Sequence, residues 1–153
     1  MKKTNFIKII AANAVSDPDR LCRNALLKTH TFLYPDCVVE KNGFVILDFG
    51  KELCGRLHIV FGWNDFNGKV RIRLGESVAE TCAEIGEKNA GNYHSLRDNC
   101  YSVVSWGDIS TSESGFRFAR IENVSEKAVN ISVIFAEEAV NGLDVMGAFR
   151  CSN

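Results

Sequence analysis

The sequence predicts an all-β protein: an antiparallel β-sandwich of jelly-roll type with at most one short helix. Three observations lead there. First, short runs with a two-residue apolar period recur along the chain: Leu57, Ile59 and Phe61; Val70, Ile72 and Leu74; Phe116, Phe118 and Ile121; Val129, Ile131, Val133 and Phe135. Such a period gives a strand one buried and one wet face. Second, turn signals separate the runs, among them Lys41-Asn42-Gly43, Asn67-Gly68, Trp106-Gly107-Asp108 and Asn141-Gly142. Third, a helix start is legible only at Ser16-Asp17-Pro18, a capping side chain followed by proline at the first helical position. Eight or nine short strands follow from this pattern.

Residues 1–153 read as a single domain, long enough to bury about 70% of the unfolded chain's surface. The first stretch, MKKTNFIKIIAANAVS, has a lysine pair and an apolar run, but Lys8, Asn5 and Asn13 interrupt it. A signal peptide needs an unbroken apolar centre, so Phe6–Ile10 reads better as a first strand, and a cytoplasmic location is the expectation. Leu21, Ala25 and Leu26 form the apolar side of a short helix ending near Lys28. Thr31–Tyr34 and Cys37–Glu40 are extended pieces around Pro35, which suits an edge or a turn. Phe44–Phe49 is a near-continuous apolar strand.

Arg56–Phe61 and Lys69–Leu74 then alternate, and Asn67-Gly68 suits a type I′ turn. Residues 56–75 are therefore expected to form a β-hairpin around which the rest is organised. Residues 76–92 are polar and glycine-punctuated, either a long loop or a loop with one irregular helical turn; loops of this length often serve function. Tyr93–Ser105 resumes extended structure, Thr111–Gly115 is a second polar loop, Phe116–Val124 and Val129–Phe135 alternate, and Met146–Arg150 is a last strand.

Composition excludes several functions. The net charge is −1, with 46% hydrophobic and 24% charged residues, ordinary for a soluble globular protein. Nucleic-acid or membrane-surface binding would call for a basic stripe, and no apolar run approaches membrane-spanning length, so neither partner is expected. The six cysteines show no CxxC pair or metal-ligand spacing; they read as reduced thiols or buried small hydrophobes. His30, His58 and His94 are scattered, and His58 sits on the wet phase of its strand. No phosphate-cradling or nucleophile motif is present. Neither a metal nor another cofactor is expected.

The binding candidates are aromatic. Trp63 lies in GWNDFNG and Trp106 in SWGD. Sugars stack on exposed aromatic faces, and Asn64, Asp65 and Asp108 are suited to hold their hydroxyls. The competing reading is that the indoles cap the sandwich or pack on a neighbouring domain. Glu76 and Glu80, at a strand end and in the long loop, suit a sugar or Ca²⁺ contact, or simply solvation. Glycoside hydrolysis needs two carboxyls flanking a sugar, about 6.5–9.5 Å apart for inversion, and no carboxylate pair stands out by spacing.

Leu47-Asp48-Phe49-Gly50, Gly55-Arg56-Leu57 and Val70-Arg71-Ile72-Arg73-Leu74-Gly75-Glu76-Ser77 together resemble the N-terminal β-sandwich domain of bacterial α-L-rhamnosidases, glycoside hydrolase family 78-like, whose sequences run LDFG…G.L…V.LR.GES. Asp98–Val103 resembles that domain's D.Y.L strand, Gly115–Ile121 its GFRYVEV strand, and Gly147–Asn153 its G.F.CSN segment. The motifs occur in the family's order over residues 44–153. The chain departs from the pattern at Glu113-Ser114, where the family has an aromatic or histidine. The resemblance implies a bacterial protein in which a catalytic (α/α)6 helical barrel begins after Asn153, with Val145 and Phe149 meeting it. It makes this chain a non-catalytic accessory domain of a glycoside hydrolase. Two alternatives stand beside it: a stand-alone carbohydrate-binding module, and a sandwich that only contacts other proteins.

Overall fold

A computed structural model describes residues 2–24, 37–84, 86–87 and 97–139. The expected strand at Met146–Arg150, the Asn141-Gly142 turn and the contact residues Val145 and Phe149 lie outside the described residues. The strands are β1 (Lys2–Thr4), β2 (Lys8–Ser16), β3 (Cys37–Phe61), β4 (Lys69–Gly75), β5 (Asp98–Ser102), β6 (Asp108–Ser110), β7 (Ser114–Asn123) and β8 (Val129–Glu138). Two short helices, α1 (Asp19–Asn24) and α2 (Val78–Cys82), complete the described elements. The strand order is β1-β8-β3-β7-β4-β5, with β2 and β6 also paired to β3.

β3 organises the molecule. Its middle, Phe44–Asp48, lies between β2 and β7. Its ends, Cys37–Val39 and Gly55–Phe61, both pair with β8. Partner numbers fall along β8 as they rise along β3, from Gly55 opposite Glu138 to Phe61 opposite Ile131, an antiparallel sense. One strand thus serves both layers of a β-sandwich, bending where Gly50 takes a φ of 78° and the register with β7 shifts between Asp48 and Leu53. The core between the layers holds Val45, Leu47, Phe49, Leu57, Ile59, Phe61, Ile72, Phe116, Ile121, Ile131 and Ile134. Phe49 sits edge-on between Phe6 and Phe116, with ring centroids 6.3 and 5.5 Å apart.

Several expectations are corrected. The hairpin at 56–75 does not form: β3 and β4 are unpaired, and β4 lies between β7 and β5. Neither Asn67 nor Gly68 takes the positive φ that a type I′ turn requires. Gly68 is needed for space instead, because a Cβ there would stand 2.5 Å from the Phe66 ring. In β8 the buried phase passes from Val129 and Ile131 to Ile134 and Ala136. Val60 faces Val133 while Phe61 faces Ile131, so Ser132 is an extra residue, and this bulge turns Phe135 outward. In β7 Ala119, not Phe118, follows Phe116 into the core.

Within 76–92, read as either a long loop or a loop with one irregular helical turn, Val78–Cys82 forms the helical turn α2, which brings the described helices to two where at most one was expected. Ser77 Oγ accepts from the Glu80 N–H at 3.2 Å, and the Glu80 carboxylate accepts from the Glu76 N–H at 2.7 Å, an S-x-x-E start signal. His58 is also less exposed than its phase suggested: its ring stacks on Phe135 at 4.9 Å and its Nε2 meets Glu137 Oε2 at 3.1 Å. Asn42, in the expected 41–43 turn, is a left-handed kink inside β3, with φ 59°.

Candidate functional site

Leaving β3 at Phe61, the chain crosses the end of the sandwich in residues 62–68 before entering β4. Backbone polar groups in such a crossing must find partners, and two turns supply them to one another. Gly107 C=O accepts from the Phe61 N–H at 2.9 Å, and Gly62 C=O accepts from the Trp106 N–H at 3.1 Å. Gly62 donates in turn to Asn130 C=O at 3.0 Å. The crossing and the 104–107 turn are thereby zipped side by side.

Asn64 is the pin. It is only 5% exposed; its Nδ2 donates to Gly62 C=O and Asn130 C=O at 3.1 and 3.2 Å, and its Oδ1 accepts from the Asn130 N–H at 2.9 Å. Its own N–H donates to Ser105 Oγ at 3.0 Å. Both amide N–H groups and one Oδ1 bond are given to the fold, so the buried Asn64 positions the loop. Asn130, absent from the sequence candidates, completes the pin by donating from Nδ2 to Trp63 C=O at 2.7 Å.

The consequence is an exposed apolar rim. Trp63 is 58% exposed, and Trp106 and Val104 are each 46% exposed. Trp106 has φ 55°, a left-handed conformation that a bulky side chain rarely adopts. The following Gly107 leaves room for Val104, whose Cγ1 would stand 2.4 Å from an added Cβ. A strained backbone that presents an indole to water is a feature of binding sites more than of cores. Asp65 is exposed beside them and accepts from Lys127 Nζ at 3.4 Å. Asp108 is exposed at the start of β6, opposite Val60.

Of the sequence candidates, Trp63, Asp65, Trp106 and Asp108 therefore share one end of the sandwich. Glu76 does not: it follows the opposite end of β4, about 20 Å along the strand. Around Glu76 and α2 the charges are paired. Arg71 meets Asp98 at 2.7 and 2.5 Å and Glu84 at 3.2 and 2.7 Å. Buried Arg73 meets Glu84 at 3.2 Å and Glu122 at 3.0 Å. The Arg71 guanidinium, outweighing the opposing effect of burial, holds the Glu84 carboxyl below its ordinary range. Among the described residues no three His, Cys, Asp or Glu side chains gather into a metal-binding group. No described helix is long and apolar enough to cross a membrane.

The described residues that carry the rhamnosidase resemblance are largely structural. Asp48 of LDFG accepts from Gly50 N–H at 2.7 Å and forms a two-pronged pair with Arg117 of GFR at 2.9 and 3.0 Å. That pair, led by the Arg117 hydrogen bond, holds the Asp48 carboxyl below its ordinary range despite burial. Two of the motifs thus meet across β3 and β7, and Ser77 of GES caps α2.

No family model and no curated protein matches the sequence. Solved structures do resemble the fold. A rhamnosidase from Klebsiella oxytoca with rhamnose bound matches 90% of this chain at a TM-score of 0.63 and 19% identity. The CBM32 module of AlyQ in complex with 4,5-unsaturated mannuronic acid matches 91% at 0.58 and 14% identity, and the match covers 100% of that module. A GH78 family rhamnosidase of Bacillus sp. GL1 matches 89% at 0.55 and 18% identity. The chain spans only 28% and 14% of the two rhamnosidase chains. At these identities the likeness establishes a β-sandwich of this type.

Proposed function

We propose that this chain is a non-catalytic accessory sandwich of a carbohydrate-active protein, and that it binds sugar at the end bearing Trp63 and Trp106. The observation that carries the proposal is the zipping of two separate turns so that both indoles stand in solvent on one rim. An indole offers a flat apolar face to the C–H side of a pyranose. Asp65 and Asp108 flank the indoles as acceptors for the hydroxyls. The kinship in fold with a rhamnosidase holding rhamnose and with a module holding a mannuronic acid derivative supports a sugar ligand. The small share of the rhamnosidase chains that is matched supports an accessory part beside a larger catalytic unit, for which a helical barrel of the rhamnosidase kind is the proposed companion.

The test is a titration of the chain with L-rhamnose and, separately, with unsaturated mannuronic acid, followed by tryptophan fluorescence and amide NMR shifts. Saturable binding to one of them, with shifts at residues 62–65 and 104–108 and loss of binding in W63A, is expected. No saturable response to either sugar, or binding that W63A and W106A leave intact, refutes the proposal.

A further inference from the structure

Beside the tryptophan rim lies an open depression of about 420 Å³, between the 62–68 crossing and the 124–127 turn that joins β7 to β8. Its volume falls within the range of small-molecule sites, roughly 300–1,000 Å³. Phe66 and Val124 supply apolar lining, and Lys127 and Glu126 supply polar groups. Val124 is 43% exposed and offers an apolar surface there. Gly68 lets the wall pack closely, since a Cβ there would collide with the Phe66 ring and with Ser125 Oγ at 2.6 Å.

The depression adjoins the rim along the chain. Only Asn64 and Asp65 separate Trp63 from Phe66, so the two lie at most about 10 Å apart along the extended chain. Lys127 bridges the two places: its ammonium meets Asp65 at 3.4 Å and stands 5.6 Å from the centre of the Phe66 ring. Ser125 is committed elsewhere, its Oγ accepting from Lys69 N–H at 2.7 Å and donating to Lys69 C=O at 2.9 Å, so it holds the wall and does not face a ligand.

We infer that this depression is a second sugar subsite, and that the ligand of the rim is a glycan of at least two linked sugars and not a lone monosaccharide. The inference rests on the carbohydrate reading above. One pyranose stacks at Trp63 and Trp106. The next lies over Phe66 and Val124, with its hydroxyls toward the Lys127 ammonium and the Glu126 carboxylate. A mixed apolar and charged lining matches a sugar ring, which has a C–H face and a hydroxyl edge.

Chain-length dependence tests this. The chain is titrated with L-rhamnose and with a rhamnose–rhamnose disaccharide, and in a second pair with mannuronic acid and its disaccharide. The disaccharide of the binding pair is expected to bind at least about tenfold tighter, the low end of what one apolar pocket discriminates. V124D and E126A, both at exposed positions, should remove that gain and leave the monosaccharide affinity and the amide spectrum of the core unchanged. Equal affinity for the two lengths, or a gain that both variants retain, overturns the second subsite while the tryptophan rim stands. No binding in either pair overturns the carbohydrate reading itself, and the subsite falls with it.

Discussion

The two ends of β4 treat their aromatic and polar groups in opposite ways. Toward α2 the outward aromatics are covered: Arg120 lies over Phe44 at 3.9 Å and Arg117 over Phe118 at 4.9 Å. The arginines are in turn held by Asp48 and Glu122. At the crossing end Lys127 stands over Phe66 in the same way, but Asn64 turns inward to hold backbone while Trp63 and Trp106 stay about half exposed. The first arrangement secures a fold by closing its surface. The second holds a rim rigid while leaving its apolar faces open, which a binding surface requires.

The sharpest way to break this contrast is to remove one member from each end. Arg73 is buried and paired to Glu84 and Glu122, with Nη1 also 3.4 Å from Cys82 C=O. R73A removes a buried side chain and one of the two arginines that hold Glu122, Arg120 remaining, and should cost about 3 kcal/mol in urea unfolding. It should leave sugar affinity unchanged. N64A comes next. It strands the Asn130 N–H and two carbonyls, for a loss of about 2 kcal/mol. Unlike R73A it should also weaken sugar binding, because the 62–68 crossing loses its pin. If N64A were destabilising yet bound sugar normally, the rim would not depend on the zipped turns.

The difference between Asn64 and Asp65 shows what sequence can and cannot convey here. Both are polar residues beside a tryptophan, and nothing local says that one is buried against Asn130, 66 residues away, and the other exposed. The buried faces of β3 and β4 were legible, because Leu57, Ile59, Phe61, Val70, Ile72 and Leu74 alternate without interruption and each is buried. The partners were not. Asn67-Gly68 is a strong hairpin signal, but pairing is decided by what covers each face, and β8 and β7 outcompete the neighbour in sequence. The phase of β8 failed at Ser132 because a bulge leaves no mark in the alternation itself. The start of α2 is signalled by Ser77 and Glu80, but the polar, glycine-punctuated run around them reads as a loop and masks the cap.

The tryptophans sharpen the comparison further. W63A should lower sugar affinity by at least about tenfold, as expected for a central aromatic anchor, while changing stability by no more than about 0.5 kcal/mol because the side chain is mostly exposed. Trp106 adds a separable backbone effect. Glycine accepts a φ of 55° without strain, whereas alanine does not, so W106G should be about 1 kcal/mol more stable than W106A, with both defective in binding. Equal stability of the two variants would mean that the turn carries no stored strain.

Acid probes the closed end with the smallest expected effect. Glu84 is held below its ordinary value, near 4.5, chiefly by the Arg71 guanidinium. A carboxylate lowered by folding stabilises the protein above its unfolded value, and the contribution is lost as pH falls through the folded value. Glu84 is half exposed, so the whole contribution is no more than about 0.5 kcal/mol. E84Q should therefore be slightly less stable than the parent at pH 7, with a gap that closes as pH drops below about 4.5. Asp48, lowered by Arg117, persists in both proteins and keeps the remaining acid sensitivity in each. Unfolding midpoints in urea between pH 7 and 3 measure the gap. A gap unchanged at pH 3 would show that Glu84 acts through packing and not through its charge on Arg71 and Arg73.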